Sequence, residues 1–498
     1  MTRRFPWRSQ LATALAVAVV AGCGVANPLR AGLDPTELSK ARAQVAANAS
    51  GTANVVIHYQ TAANLTELVN AGFDVWGVEG GKAKGTATAE TLKAVERLNL
   101  KTETFVRMMN TFDKGYKSVE QIEAELKGLA AKYPQLAKVE DFGDSWEKKQ
   151  GKGGHDLYVL KIGTGDTAKK PGVIYLGNHH AREIVTPEIV LNLAHLLLDN
   201  YGKDPEVTAM VDSRDIWLVP TVNPDGHKVA EKGVDWRKNT DTSLVAGPIS
   251  FGPNGPGIDL NRNYGFKWGG EGASADPRNA TFRGPGAFSE PETQAVRDLV
   301  QSRKFTFLMT YHSFSNLVLW PWGYTDAAPS DKRLPAIGQK LGSFNGYTAE
   351  QSKDLYKTSG DTTDWAFGEL GILAYTTEIG SWNDNFDPPY SRMEKFWNEN
   401  KPGALYLLKL ADNPGAVFGP ELTNVSVAGG RIQVQSKQPI SRVEAYVGTP
   451  GTGMQAGGTG TTASLAMPTS LTERRQVLMV RAQGANGQWG PAQAVWSR

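Results

Sequence analysis

Five nearly continuous apolar segments in the middle of the chain constrain the fold more than any other feature. Strands that are apolar on both faces are typical of parallel sheets covered by helices on each side. Amphipathic segments with helical spacing lie among them, including one that begins at Ser118 and one that begins at Thr186. The pattern predicts an α/β domain over residues 114–412, with a mixed, mostly parallel sheet and helices on both faces. The apolar segments are residues 157–162, 173–176, 216–220, 305–311 and 372–377.

The residues before this domain predict a smaller α/β unit over 51–110. Strands are expected near residues 54–59, 74–78 and 101–106, with two helices among them. Residues 24–50 are rich in alanine and polar side chains, and we expect them to form a tether.

The residues after it, 415–498, have short alternating strands and a Gly/Thr-rich turn region, which predict a β-sandwich. This tail is either a binding module or a structural appendage. The lack of an aromatic platform in its sequence favours the appendage.

The N-terminus has the pattern of an export signal. Three arginines within residues 3–8 precede a short apolar run, and Val20-Ala21-Gly22-Cys23 follows. Residues 1–23 therefore predict a signal peptide with a lipobox, in which Cys23 becomes the lipidated N-terminus; plain secretion is the alternative. In either case we expect an exported protein, lipid-anchored at the cell envelope or secreted.

Composition limits the partners and the metal ligands. The formal net charge is +2 without a basic stripe, so no nucleic-acid partner is expected, and the membrane is reached only through the lipid anchor. Cys23 is the only cysteine. A metal ion in the mature chain must therefore be held by histidines and carboxylates.

Three groups with metal or acid–base chemistry follow predicted strands. His180 and Glu183 come after the second segment, His312 follows the fourth, and Glu378 ends the fifth. Ligands bind beyond the carboxyl ends of strands in open α/β sheets. Two histidines and one glutamate with an open fourth position are typical of catalytic zinc. The short His-x-x-Glu pattern is common by chance, and composition alone does not bring these groups together.

Several separated motifs over residues 114–410 resemble those of the metallocarboxypeptidase family of carboxypeptidases A and B, with a pattern closest to bacterial carboxypeptidase T-like enzymes. The resemblance implies the zinc carboxypeptidase fold and hydrolysis of the C-terminal peptide bond of peptides and proteins with a free C-terminus. The motifs are Gly177 to Glu183, Asn223 to Gly226, Trp236 to Lys238, Gly257 to Asn263, Tyr311 to Ser313, Tyr356 to Trp365, and Glu378.

The resemblance also implies a role for each matching residue. One Zn²⁺ per catalytic domain would be held by His180, Glu183 and His312. The remaining roles divide between chemistry and substrate binding: Glu378 as general base, Arg237 as the group that polarises the scissile carbonyl, Asp259 as acceptor for the second ring N–H of His180, Asn261 and Arg262 on the terminal carboxylate, Tyr356 closing over the substrate, and Arg182 at the outer subsites.

Two departures from the family bear on specificity. Phe314 stands where the family often has tyrosine, and Thr363 occupies the position that separates apolar from basic preference in the pancreatic enzymes. Asp361 lies two residues earlier, as in carboxypeptidase T-like sequences. We therefore expect hydrophobic and basic C-terminal residues to be accepted.

The position of residues 51–110 resembles that of the family's activation segment. We expect a zymogen that is cut between Arg107 and Lys114; a permanent accessory domain is the alternative. Two rival functions remain: a peptidase of peptidoglycan stem peptides on the same fold, and a non-catalytic surface binding protein. A monomer is expected.

Overall fold

The computed structural model describes residues 32–107, 112–246 and 249–498. The predicted signal peptide and Cys23 lie outside the described residues, so export and lipid attachment stay predictions. Among the residues described, no helix combines the length and the apolar character needed to cross a bilayer.

The N-terminal unit is a four-stranded antiparallel sheet in the order β2-β3-β1-β4, with helices packed against it. Its strands and helices are α1 (Pro35–Ala47), β1 (Ala53–His58), α2 (Ala62–Asn70), β2 (Asp74–Glu79), β3 (Lys82–Ala87), α3 (Ala89–Arg97) and β4 (Thr102–Thr104).

Helix α1 corrects the prediction of a tether over 24–50 for its own residues, Pro35–Ala47; residues 24–31 lie outside the described residues. Asp34 caps the helix by accepting from the backbone N–H groups of Thr36 and Glu37, and Pro35 starts it. Leu38 and Ala41 are buried in the core of the N-terminal unit. The alanines that suggested a tether also have the highest helix propensity, and burial of one face decides between the two.

The central unit is built on an eight-stranded mixed sheet, in the order β11-β10-β12-β9-β7-β8-β6-β5. Four of its seven pairings are parallel, which confirms the predicted mixed, mostly parallel sheet. Its elements are α4 (Val119–Lys132), β5 (Ala137–Asp144), α5 (Trp146–Lys149), β6 (Asp156–Ile162), β7 (Gly172–Leu176), α6 (Val185–Asn200), α7 (Pro205–Ser213), β8 (Asp215–Val219), α8 (Pro224–Ala230), α9 (Pro291–Gln301), β9 (Phe305–His312), β10 (Leu317–Trp320), α10 (Arg333–Asn345), β11 (Thr348–Gln351), α11 (Ser352–Leu355), α12 (Thr362–Leu370), β12 (Leu373–Glu378) and α13 (Met393–Leu410).

Helices cover both faces of this sheet. One core brings α6, α10 and α13 against one face, with Val190 and Leu407 fully buried. A second core brings α9 and α12 against the other face, with Val296 and Trp365 fully buried. This explains why the central strands are apolar along their whole length.

The C-terminal residues form two antiparallel sheets, in the orders β13-β14-β17 and β16-β15-β18-β19, around one shared core. The predicted β-sandwich is confirmed. It contacts the central unit where the Ala494 N–H donates to Glu206 at 3.0 Å. Its elements are β13 (Leu422–Ala428), β14 (Arg431–Ser436), β15 (Arg442–Tyr446), β16 (Met454–Gly457), β17 (Thr462–Ala466), α14 (Thr469–Thr472), β18 (Val477–Gln483) and β19 (Gln493–Trp496).

Replacing Arg481 with methionine is expected to destabilise the sandwich by about 3–5 kcal/mol, because it leaves the buried carboxylate of Glu444 without its cation. Arg481 Nε donates to Glu444 at 2.7 Å, and the Glu444 side chain is inaccessible to solvent. Urea unfolding, monitored by hydrogen exchange of the amides in β15 and β18, measures the loss in the free energy of unfolding. The exposed Arg442, replaced in the same way, is the control and should change stability by under about 1 kcal/mol. Equal effects of the two variants would contradict the prediction.

Candidate active site

The carboxyl ends of three neighbouring parallel strands meet at one edge of the central sheet. His312 ends β9 and Glu378 ends β12, and the two residues are opposite one another in the parallel register. Strand β7 ends at Leu176, and the chain then turns at Asn178, whose φ is 58°. The Asn178 side chain donates to the carbonyl of His180 at 3.1 Å, which fixes the loop that carries the second histidine.

His180, Glu183 and His312 converge in a buried position. Glu183 Oε1 lies 2.7 Å from His180 Nδ1, and Glu183 Oε2 lies 3.0 Å from His312 Nδ1. The two Nδ1 atoms are 3.1 Å apart, and one donor atom from each residue lies within 4.8 Å of the others. Glu183 Oε2 lacks hydrogen-bond geometry with any described group. Buried lone pairs that face one another in this way fit a divalent cation, and two histidines with one carboxylate are typical of zinc.

Asp259 and Arg237 surround His180. Asp259 Oδ1 lies 3.3 Å from His180 Nε2, so the ring has its other nitrogen directed at the ligand cluster. Arg237 Nε donates to the second oxygen of Asp259 at 2.9 Å. Burial alone would raise the pKa of Asp259, but the charges of Arg237 and His180 hold it well below its usual value.

Glu378 lines the same cavity as two of the ligand residues, His180 and Glu183. Burial raises the pKa of Glu378 well above its usual value, and the negative charge of Glu183 adds to this, while Arg237 and Arg262 act in the opposite direction. A divalent cation on Glu183 would offset the contribution of that carboxylate, because the charge of a bound ion dominates its surroundings.

Arg262 and Asn261 form a second polar wall of the cavity. The Arg262 side chain is buried and held by donation from Nε to the carbonyl of Gly272 at 2.8 Å. Its Nη2 donates to the hydroxyl of Tyr356 at 3.3 Å. A guanidinium fixed in this way presents its remaining N–H groups in one direction, which suits a carboxylate.

Asp361 and Thr363 lie at the start of α12 and also line the cavity. Asp361 Oδ1 caps the helix by accepting from the backbone N–H groups of Thr363 and Asp364. Its Oδ2 accepts only from Thr358 among described groups, at 2.9 Å, and has a lone pair left. Leu319 and Leu355 provide apolar wall nearby.

The N-terminal unit covers this cavity, which leaves about 70 Å³ of space. Residues 75–78 of β2 form one wall, and Gly77 lies so close to Phe314 that an added Cβ would come within 2.3 Å of the ring. Asp74 accepts from both terminal nitrogens of Arg182, at 2.7 and 2.8 Å.

Sequence reasoning missed Asp74, Trp76 and Gly77 as residues of the site. The predicted strand 74–78 contained them, but nothing in its composition indicates which surface it faces. Tertiary contacts across more than a hundred residues decide that, and a single sequence does not encode them in any local pattern.

Comparison with known proteins identifies the family. The sequence profile described as zinc carboxypeptidase matches residues 122–403, which is more than half of the chain. The chain belongs to the zinc carboxypeptidase family. The matched range contains the ligand cluster, Glu378 and both polar walls of the cavity.

Known carboxypeptidases resemble this chain in sequence and in fold. A zinc carboxypeptidase of Saccharothrix mutabilis subsp. capreolus is 28% identical over 353 residues, covering 63% of this chain and 78% of the relative. Carboxypeptidase B of Astacus astacus is 34% identical over 279 residues, covering 53% and 86%. The solved structure of carboxypeptidase A from Helicoverpa armigera has a TM-score of 0.61 and 25% identity, covering 73% of this chain and 97% of its own.

Family membership makes this zinc carboxypeptidase a metallohydrolase that uses Zn²⁺ and acts on peptides. The cluster of His180, Glu183 and His312 is compatible with that ion. The predicted family and fold are thereby confirmed.

Proposed function

We propose that this zinc carboxypeptidase removes the C-terminal residue of peptides and proteins by using His180, Glu183 and His312 as zinc ligands and Glu378 as general base. One observation carries the proposal. A single cavity is lined by the ligand residues His180 and Glu183, by Glu378 and by the fixed guanidinium of Arg262. Such a cavity binds a peptide by its terminal carboxylate and sets the last peptide bond beside the metal.

Arg262 and Asn261 are proposed to hold the terminal carboxylate. Arg262 keeps a buried charge and donors for a bidentate pair, and the carbonyl oxygen of the Asn261 side chain already accepts from the Thr362 N–H at 2.9 Å. The amide N–H₂ of Asn261 is therefore left for the substrate. Tyr356, which accepts from Arg262, would close this end of the cavity once substrate is bound.

Arg237 and Glu378 are proposed to do the chemistry. A Zn²⁺ ion on the three ligands supplies a Lewis acid that lowers the pKa of water to about 7. Glu378 takes a proton from the attacking water at its carboxylate and delivers it to the nitrogen of the leaving amine. Arg237, held on Asp259 at 2.9 Å, donates to the developing oxyanion of the scissile carbonyl.

The direct test compares blocked dipeptides with a free and an amidated C-terminus, using the chain trimmed to start near Lys114. We expect hydrolysis of the free acid that stops with a zinc chelator and little hydrolysis of the amide, because Arg262 then lacks its anionic partner. Equal rates on both substrates would contradict C-terminal exopeptidase action. Turnover of peptidoglycan stem peptides alone would favour the rival peptidase.

The proposed specificity is mixed, with hydrophobic and basic C-terminal residues accepted. Asp361 Oδ2 retains a lone pair for a Lys or Arg side chain, and the apolar walls of Leu319 and Leu355 suit Phe or Leu. A hydrogen bond to a charged group is worth about 1.5–3 kcal/mol.

Replacing Asp361 with asparagine is expected to lower kcat/KM for a substrate ending in Arg by about 10–100-fold, because the charge–charge hydrogen bond is lost. The asparagine can still cap α12, so the matched substrate ending in Phe serves as the internal control and should change by less than about threefold. Steady-state kinetics on the two substrates measure the ratio. An unchanged ratio would show that Asp361 is not the basic determinant.

The N-terminal unit is proposed to inhibit the enzyme until the chain is cut between Arg107 and Lys114. Two contacts support this. Residues 75–78 form part of the lining of the substrate cavity. Asp74 accepts hydrogen bonds from both terminal nitrogens of Arg182, the residue proposed for the outer subsites. A peptide substrate and this unit would therefore compete for the same groups.

Replacing Asp74 with asparagine is expected to raise the activity of the uncut chain by about tenfold or more, because it breaks a buried bidentate ion pair. The trimmed enzyme, which lacks residue 74, gives the upper limit of activity. Hydrolysis by uncut Asp74→Asn and by uncut Glu79→Gln, an exposed carboxylate on the same strand, measures the effect. Full activity of the uncut wild type would instead support a permanent accessory domain.

A further inference from the structure

His179 is a fully buried histidine beside the ligand cluster that the proposed mechanism does not use. Its ring stacks on that of His312, with centroids 5.6 Å apart and planes 16° from parallel. Both ring nitrogens have partners: Nδ1 lies 3.1 Å from Thr310 Oγ1, and Nε2 lies 2.8 Å from the hydroxyl of Tyr264.

The contact of His179 Nδ1 with Thr310 connects His179 to the proposed zinc ligand His312. Thr310 Oγ1 also lies 3.2 Å from Nε2 of His312, so one hydroxyl joins the two rings. Nδ1 of His312 faces the ligand cluster, so a His312 that holds zinc through Nδ1 would carry its ring proton on Nε2. Nε2 of His312 then donates to Thr310, and the Thr310 hydroxyl donates to Nδ1 of His179.

The contact of His179 Nε2 with Thr362 connects His179 to Asn261, which is proposed to bind the terminal carboxylate. With Nδ1 accepting, Nε2 of His179 is the donor, and it lies 3.2 Å from Thr362 Oγ1 as well as close to Tyr264. The Thr362 hydroxyl donates to Asn261 Oδ1 at 2.8 Å. Thr310, Thr362 and Tyr264 are buried, so water does not replace any link in this chain of hydrogen bonds.

We propose that His179 is a positioning residue that sets the orientation of both the zinc ligand His312 and the carboxylate-binding Asn261, through Thr310 and Thr362. The direction of the hydrogen bonds is fixed from end to end. It directs the lone pair of His312 Nδ1 at the ion and leaves the Asn261 N–H₂ for the substrate. The inference rests on the proposed function, which assigns His312 and Asn261 their roles.

Two substitutions of His179, each with an amide in place of one ring nitrogen, separate its effect on His312 from its effect on Asn261. In His179→Asn the amide replaces Nδ1 and keeps the contact with Thr310, whereas in His179→Gln it replaces Nε2 and keeps the contacts with Thr362 and Tyr264. We expect the Gln variant to weaken zinc binding about tenfold or more, because second partners of metal ligands usually contribute 10–100-fold. We expect the Asn variant to keep zinc affinity within about threefold and to weaken binding of the product phenylalanine about tenfold.

The readouts are the zinc dissociation constant, from competition with a chromophoric chelator, and phenylalanine binding by calorimetry to the zinc-loaded enzyme after the cut between Arg107 and Lys114. Thr310→Val and Thr362→Val are matched controls of nearly equal volume. Thr310→Val should reproduce the zinc loss and Thr362→Val the phenylalanine loss, which keeps the test valid if a His179 variant does not fold. Unchanged constants in both Thr variants, or equal losses in both arms for each His179 variant, would overturn the proposal. Because neither readout needs turnover, a wild type that binds zinc but hydrolyses no peptide would contradict the proposed function alone.

Discussion

Replacing Glu378 with glutamine is expected to lower kcat by about 10²–10⁴-fold, the usual contribution of a positioned general base. Glutamine has the size of glutamate, but its amide cannot take a proton from water at neutral pH. Glu378 faces His312 across neighbouring parallel strands, so the backbone of both strands keeps the side chain in place after the substitution. The variant therefore loses proton abstraction from water but keeps the shape of the cavity.

Three measurements make this result specific. Zinc content should stay at one ion per chain, because none of the three ligand residues is changed. KM should change little, since Arg262 and Asn261, which line the same cavity, are unchanged. A variant with zinc and substrate binding intact and kcat within about fivefold of wild type would exclude Glu378 as the base and turn attention to another group.

Removal of zinc is expected to abolish hydrolysis and also to lower the stability of the protein. A ligand that binds only the folded state stabilises it by about 4 kcal/mol when its free concentration is about a thousandfold above Kd. The structural reason is the buried cluster. The Nδ1 atoms of the two histidines and the carboxylate of Glu183 are buried 2.7 to 3.1 Å apart, and Glu183 Oε2 has no hydrogen-bond partner among the described groups.

Calorimetry with and without chelator, followed by addition of Zn²⁺, measures this effect. Activity and the unfolding temperature should return together at one equivalent of zinc. Glu183→Ala is the matched control: it removes one ligand, so its unfolding temperature should no longer respond to zinc. Equal unfolding temperatures for the chelated and zinc-loaded wild type would contradict a high-affinity site at these residues.

The sequence predicted the centre of the fold well because local patterns determine it. Apolar strands such as Val173 to Leu176 are recognisable from composition, and the rule that ligands lie beyond their carboxyl ends indicated where His312 and Glu378 would meet. The convergence itself depends on strand order. Neighbours β9 and β12 are separated by sixty residues of chain, and only the family resemblance links them in the sequence.

Features that depend on contacts between distant segments were missed. The alanines after Pro35 suit both an extended tether and a helix, and the sequence alone favours the tether. The burial of Leu38 shows that the helix forms. His179 does not match the family's ligand position, and no local pattern gives it a role. Its partners Thr310 and Thr362 lie 131 and 183 residues away, and no spacing rule connects them.

The register between β9 and β12 has a consequence for redesign. The proposed base and a proposed ligand are fixed to the same backbone ladder, where neighbouring strands are about 4.8 Å apart. The proposed selectivity group Asp361 and the closing residue Tyr356 belong instead to the connection between α11 and α12, residues 356–361. An engineer could therefore exchange that connection to change which C-terminal residue is removed, while the hydrolytic apparatus keeps its dimensions.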